Sequence, residues 1–307
     1  MIPKHPLHGL VVATHTPFEG DGSKINLRIV EQQATHLLKN GVHTVFIGGS
    51  TGESASLGVE ERKTLAQRWS EVVRGTALRV VVHVGSNSLA DARILAAQAE
   101  SLGAIAISAL APSYFKPRSI DSLIACCAEI ASAAPSTPFY YYDIPVLTGI
   151  TLSAPEFLAG AKDRIPTLAG LKFTNPDLMA YQLCLRANDG QWDVPYGLDE
   201  HMLGALAMGA RGAVGSGFNF AAPIYHRLLA AFAKGDLVTA REEQFRGVRL
   251  IQLLAGYGYM GAAKALMKML GVDVGPARLP NQTLTSQQVT SLRSDLDAMG
   301  FFDWVSR

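Results

Sequence analysis

Leu168-Ala-Gly-Leu-Lys-Phe-Thr174 is the stretch on which the reading of this chain turns. It is short, almost wholly apolar and bracketed by Pro166 and Pro176, which predicts a strand buried on both faces. Its one charged residue, Lys172, is costly in such a place. Burial disfavours the ammonium and draws a lysine toward a neutral, nucleophilic amine, the group that Schiff-base chemistry with a carbonyl compound needs. A lysine at a strand end can instead snorkel to water. The neighbouring segments decide between the two.

Working outward, apolar runs of the same kind recur at Leu10–Ala13, Thr44–Ile47, Val80–Val84, Ala104–Leu110, Phe139–Ile144, Val194–Leu198 and Gly212–Gly215. Segments of helical periodicity lie between them. In the first, Leu27, Val30, Ala34, Leu37 and Leu38 share one face, and Asn40-Gly41 closes the helix. The same join recurs as Leu102-Gly103-Ala104 and Met208-Gly209-Ala210. Ser153-Ala-Pro-Glu156 reads as a capping box, and Ser88 and Ser119 as N-caps.

Eight strands alternating with helices describe an α/β fold, a (β/α)8 TIM barrel. A doubly wound open sheet competes, but no G-x-G-x-x-G follows the first strand. After Gly215 the alternation stops, and Asp236–Leu254, Gly261–Leu270 and Ser286–Met299 all read as helices. The expected organisation is a catalytic barrel over residues 1–232 and a helical extension over residues 233–307 packed on it.

Composition bounds the function. A chain of 307 residues, 48% hydrophobic and 17% charged, can bury a large core. A net charge of +1 gives no electrostatic reason to expect nucleic acid or an anionic membrane as partner. The three cysteines, Cys126, Cys127 and Cys184, make no C-x-x-C, so a reduced cytoplasmic setting is expected. The first residues, Met-Ile-Pro-Lys-His-Pro-Leu-His-Gly, hold no apolar run long enough for a signal peptide, and no later run is long enough to span a bilayer.

In barrels of this kind, active residues gather at the C-terminal ends of strands and in the loops that follow. After the second strand comes Gly48-Gly49-Ser50-Thr51-Gly52-Glu53-Ser54, whose glycines and hydroxyls let backbone N–H groups face an anion. It lacks a P-loop's Lys-Ser/Thr ending, which favours a small carboxylate, although a plain tight turn would read the same way. On the fifth strand, Phe139-Tyr140-Tyr141-Tyr142-Asp143-Ile144-Pro145, alternation points Tyr140 and Tyr142 to one side and Tyr141 to the other. A tyrosine at the mouth can shuttle protons beside a cation, whereas aromatic strand residues usually pack.

The seventh run ends in Gly197-Leu198-Asp199-Glu200 and the eighth in Gly215-Ser216-Gly217-Phe218-Asn219. An acidic pair there could bind metal, hold a polyol or merely begin a helix. The eight histidines show neither H-x-H nor H-E-x-x-H, so no metal is expected, and His15 and His83 are assigned satisfied structural roles. No G-x-S-x-G elbow supports a serine hydrolase.

Together GGSTGES, YYYDIP, LKFT, YGLDE and GSGFN resemble the pyruvate-dependent class I aldolases, the family that holds the dihydrodipicolinate synthases and the sialic acid lyases. The resemblance runs over nearly the whole chain, with the motifs in the family's order and spacing. It implies that Lys172 is the Schiff-base lysine and Tyr142 the proton-transferring tyrosine. It implies that Ser50 and Thr51 hold the pyruvyl carboxylate, and that Thr174, Gly197, Asp199, Glu200 and Ser216 line the sugar end. Tyr114 matches a tyrosine near a neighbouring subunit's site, which implies a homotetramer built as a dimer of dimers. No cofactor is implied, since the lysine supplies covalent catalysis.

The synthase branch carries an arginine shortly after its tyrosine, to clamp the carboxylate of aspartate semialdehyde. Leu147 stands there in this chain, and losing a bidentate clamp disfavours that activity. YGLDE and the run Gly-Tyr-Gly-Tyr-Met-Gly-Ala-Ala-Lys lean toward the sialic acid lyases, which implies reversible cleavage of N-acetylneuraminate to N-acetylmannosamine and pyruvate. The chain departs from that branch at Asp143 (commonly asparagine), Asn175 (commonly serine) and Gly217-Phe218 (commonly Thr-Tyr). The alternatives are the same chemistry on another 2-keto-3-deoxy sugar acid, and a non-catalytic sensor on the same barrel.

Overall fold

Seven parallel strands form one sheet: β1 Gly9–Ala13, β2 Thr44–Ile47, β3 Arg79–His83, β4 Ala106–Ala109, β5 Phe139–Asp143, β6 Leu168–Phe173 and β7 Gly212–Gly215. In the computed structural model, which describes residues 3–306, their order is β6-β5-β4-β3-β2-β1-β7. Met1 and Ile2, the start of the segment read for a leader, and Arg307, the end of the expected extension, lie outside the described residues.

The gap between β6 and β7 is closed by residues 193–196. Asp193 bridges Gly170, and Tyr196 bridges both Phe173 and Ala213. The sequence predicts a full strand here, Val194–Leu198, and the structure gives isolated bridges instead. Pro195 explains the difference: it has no N–H for a continuous ladder and contributes only its carbonyl, which accepts the Phe173 N–H at 3.0 Å. The barrel therefore closes with eight staves, as expected.

Two apolar layers follow from strand alternation. Val11, Ala13, Phe46, Val81, Ala106, Tyr140, Tyr142, Ala169 and Val214 fill the barrel interior. Residues such as Val12, Val45, Val82, Ile107, Tyr141, Leu171 and Phe173 face the helices. On β6, simple alternation from inward Ala169 would also turn Leu171 and Phe173 inward and Lys172 outward. The register slips between β5 and β6, with Phe139 opposite Leu168 but Tyr140 opposite Gly170. This one-residue offset, at a glycine pressed against the Asp193 carbonyl, re-aims Lys172 into the barrel.

Helices α1 Ile29–Lys39, α2 Val59–Val73, α3 Leu89–Ser101, α4 Ile120–Ala131, α5 Pro145–Thr148, α6 Ala154–Ala161, α7 Leu178–Arg186, α8 Met202–Met208 and α9 Phe218–Ala233 cover the sheet. The predicted caps form at α3 and α4, where Ser88 accepts the Asp91 N–H at 3.3 Å and Ser119 that of Ser122 at 3.2 Å. At α6 only half of the predicted box forms, with Ser153 accepting the Glu156 N–H. Helices α10 Leu237–Gly256, α11 Tyr259–Met269, α12 Ser286–Met299 and α13 Phe301–Val305 follow the barrel, and α11 buries Ala262, Ala263, Leu266 and Met267. No helix among the described residues is long and apolar enough to cross a membrane.

Candidate active site

Lys172 is 3% exposed and projects into the barrel, its Nζ 4.0 Å from the centre of the Tyr142 ring and 4.5 Å from that of Phe46. Among the described residues no carboxylate pairs with it. Two aromatic faces flank Nζ, and no salt bridge among the described residues occupies it. Tyr142 lies opposite Lys172 in the β5–β6 register, and its hydroxyl sits 3.5 Å from Ser50 Oγ. The expected split of the tyrosines holds: Tyr140 and Tyr142 point inward, and Tyr141 points to the helices.

Tyr140 has different surroundings from Tyr142. Its hydroxyl donates to Asp193 at 2.6 Å, and the Leu7 N–H reaches the same carboxylate oxygen. Burial and that carboxylate push its ionisation well above the ordinary phenol value. It closes the barrel floor.

The glycine-rich turn after β2 brings Ser50 beside Tyr142, and Thr51 is the next residue of that turn. Its glycines are needed because a Cβ at Gly52 would come within 3.1 Å of the Gly48 backbone, and one at Gly49 within 2.8 Å of the Phe46 ring. The Glu53 N–H donates to the Ser50 carbonyl at 3.0 Å, and Glu53 itself takes a left-handed conformation at φ 54°. That conformation is unusual for a residue with a Cβ and marks a turn held by its surroundings.

Thr174, the residue that follows β6, lies two positions on from Lys172 and so on the same face. Its hydroxyl is buried and has no protein partner, which leaves a hydrogen-bonding group ready for a ligand. Gly197 lies against it so closely that any Cβ would collide with the Thr174 side chain. Asp199 is buried, and its carboxylate accepts the Gly217 N–H at 2.6 Å. Burial, reinforced by Glu200, raises its pKa to about 7, against the opposing pull of the Gly217 N–H and of Lys172.

Asp199 begins a short helical turn but does not cap it. Both acidic residues therefore stand in the first turn of a helix, as the plainer reading of the pair expects, while the Asp199 carboxylate turns away from that turn to the Gly217 N–H. Glu200 is only half-buried and lines a groove with Pro176, Leu178, His201 and Gln244, at the outer edge of this group. Ser216 meets the Tyr259 hydroxyl at 2.6 Å.

Tyr259, from α11, was not among the expected site residues. The Gly-Tyr-Gly-Tyr-Met run contains it, but periodicity cannot tell which turn of a C-terminal helix folds back to a strand end. A second unforeseen group is the Lys264–Glu53 ion pair at 2.6 Å, almost fully buried behind the glycine-rich turn. Burial pulls Lys264 down to about 8, against the opposing pull of Glu53.

His83 fills the structural role expected of it. Its Nδ1 lies 2.8 Å from the Gly48 carbonyl and Nε2 accepts from Leu110, while its ring meets Tyr142 edge-on. Arg62 braces the same strand end through the carbonyls of His83 and Gly85. His15 departs from expectation. It is fully buried with both ring nitrogens unpartnered, and burial beside Lys264 lowers its pKa to about 3, so it stays neutral.

Two departures from the family pattern touch each other, since the Asn175 amide donates to Asp143 at 3.4 Å. Burial raises that carboxyl to about 6. Asp143 faces away from Lys172 and belongs to the wall. Tyr114 and Phe115 stand 78% and 86% exposed on the β4–α4 loop, and Leu147 on α5 is also exposed. None of these three joins the Lys172 cluster. Among the described residues no group of three or more His, Cys, Asp or Glu side chains is placed to hold a metal.

The family model described as the dihydrodipicolinate synthetase family matches residues 6–299. N-acetylneuraminate lyase of Mus musculus is 40% identical over 303 residues, which cover 97% of this chain and 94% of the relative. The solved N-acetylneuraminate lyase (sialic acid aldolase) of Aliivibrio salmonicida superposes with a TM-score of 0.92 at 40% identity, covering 96% of this chain and 97% of the other. The N-acetylneuraminate lyase of Proteus mirabilis gives 0.92 at 39% identity, over 96% of this chain and 99% of its own.

Proposed function

The chain belongs to the dihydrodipicolinate synthetase family, and from that premise we propose that it is a class I lyase cleaving N-acetylneuraminate reversibly to N-acetylmannosamine and pyruvate. The observation that carries the reading is the Lys172 amine inside the barrel, set against the Tyr142 and Phe46 rings with no carboxylate paired to it among the described residues. Lys172 attacks the C2 ketone of the open-chain sugar acid, and loss of water gives an imine that serves as electron sink. Ser50 and Thr51 receive the adjoining carboxylate. Tyr142, relayed by that carboxylate, takes the proton of the C4 hydroxyl. The C3–C4 bond then breaks, leaving the aldehyde of N-acetylmannosamine and an enamine on Lys172. Protonation at C3 and hydrolysis release pyruvate and restore the amine.

Coupled detection of pyruvate from a panel of 2-keto-3-deoxy sugar acids tests this. N-acetylneuraminate should be the best substrate. Turnover of another acid with none of N-acetylneuraminate would move the chain to the sister activity, and silence on every acid would make it a sensor.

Aspartate semialdehyde should be a poor acceptor for bound pyruvate, because Leu147 cannot pair its carboxylate. Efficient condensation of the two, followed by cyclisation, would refute this.

Asp199 and Glu200 are assigned to the sugar hydroxyls. Asp199→Asn and Glu200→Gln should each weaken N-acetylneuraminate cleavage by about 1–3 kcal/mol in apparent transition-state binding, while imine formation with bare pyruvate survives. Equal damage to both reactions would make the pair structural. Asp199 has a second signature. An unfolded aspartate titrates near 3.8 and the folded one at about 7, so between those values the folded chain holds a proton that the unfolded chain has released. Stability from this group therefore falls as pH rises through that window, and Asp199→Asn should lose that slope in thermal midpoints measured from pH 4 to 8.

A homotetramer is proposed on the exposure of four large apolar side chains, Tyr114, Phe115, Val146 and Leu147. A reducing, cytoplasmic setting is proposed on the free Cys126, Cys127 and Cys184.

A further inference from the structure

We propose that Lys264, through its ion pair with Glu53, is a positioning residue for the substrate carboxylate, a proposal that rests on the aldolase reading. Lys264 reaches the glycine-rich turn by two routes. Its Nζ pairs directly with the Glu53 carboxylate at 2.6 Å. It also donates to the Thr16 carbonyl at 3.0 Å, and the Thr16 hydroxyl in turn donates to the Gly52 carbonyl at 2.6 Å. Gly52 and Glu53 directly follow Ser50 and Thr51, so both routes end within three residues of the hydroxyls assigned to the carboxylate.

The C-terminal segment grips from the far side. The Arg278 N–H donates to the other Glu53 oxygen at 2.8 Å, and the Arg278 guanidinium is fixed by Glu61 and by the carbonyls of Gly22, Ser23 and Ser56. Lys264 also holds the Pro276 carbonyl at 2.8 Å.

A left-handed glutamate is an unfavourable conformation that persists where its surroundings over-determine it. Here Lys264 and Arg278 do so, and the conformation they impose at Glu53 orients the N–H groups and hydroxyls of the turn. Lys264 itself touches no reacting atom. Its effect belongs in recognition of the carboxylate and not in the chemistry of the Lys172 amine. Ligands that carry a carboxylate should feel its loss, and ketones without one should not.

The test is borohydride trapping on the full chain with two probes: pyruvate, and hydroxyacetone, a ketone without a carboxylate. In the paired variant Glu53→Gln/Lys264→Met, which removes both charges together, pyruvate half-saturation should rise about tenfold. Trapping at saturating pyruvate and trapping with hydroxyacetone should stay within about twofold of the parent. Thr16→Val cuts only the second route and should raise pyruvate half-saturation about threefold, again without changing hydroxyacetone. This milder change keeps the test open where the paired variant fails to fold. Equal loss with both probes would make the pair merely structural, and unchanged pyruvate half-saturation in Thr16→Val and the folded paired variant would also overturn the proposal. A parent chain that forms no adduct with either probe would overturn the aldolase reading itself, an outcome distinct from both.

Discussion

Lys172→Ala should form no adduct with pyruvate and borohydride and should show no turnover above background, whereas the parent chain takes up one adduct per chain. The argument compares the molecule's buried lysines. Lys172 lies in the barrel with aromatic rings for neighbours, and among the described residues no carboxylate pairs with it. Lys264 is equally buried, but its ammonium is spent on Glu53 and on the Thr16 and Pro276 carbonyls. An amine must give up a proton before it attacks a carbonyl, and a carboxylate partner at 2.6 Å opposes that loss. Peptide mapping decides the matter. An adduct on Lys264, or on Lys162 (which pairs with Asn188 at the surface), would reassign the nucleophile.

Tyr142→Phe should keep much of its imine formation with pyruvate and lose cleavage by roughly two to four powers of ten, the usual worth of a positioned acid–base group. The substitution keeps the ring, so the edge contacts with Phe46 and His83 and the face beneath Lys172 remain. Only the hydroxyl near Ser50 is lost. Tyr140→Phe is the control. It breaks a 2.6 Å bond to the Asp193 carboxylate and should cost about 1.5–3 kcal/mol of stability, with little effect on rate. A dead Tyr140→Phe beside a nearly intact Tyr142→Phe would move the proton carrier to the barrel floor.

Much of this site was legible because period-two alternation and strand-end position are local properties. The inward pair Tyr140 and Tyr142 follows from the first, and the strand-end positions of Ser50, Thr51 and Asp199 from the second, whereas Thr174, two residues on from Lys172, takes that residue's face only through the offset at Gly170. Other features depend on contacts between distant parts of the chain. Tyr259 meets Ser216 only because α11 returns to the end of β7, and Glu53 meets Lys264 across most of the fold. The segment read as a full strand at Val194–Leu198 became a set of bridges because Pro195 cannot donate. That clue was visible in the sequence, unlike the return of α11. His15 was assigned hydrogen-bond partners by default, and only the packing around β1 shows that it has none for its ring.

The offset at Gly170 has a consequence in genetic terms. Most single-base changes in this gene alter one side chain and leave the backbone where it was. An in-frame loss of the Gly170 codon would remove the extra residue itself, so Ala169, Leu171 and Lys172 would run in plain alternation with Lys172 still facing the barrel. A missense change at the same codon is the more damaging one. Any Cβ there meets the Asp193 carbonyl, and a strand of unchanged length that regained plain alternation would turn Lys172 toward the helices. At this position the shortened gene keeps the amine that the substituted gene loses.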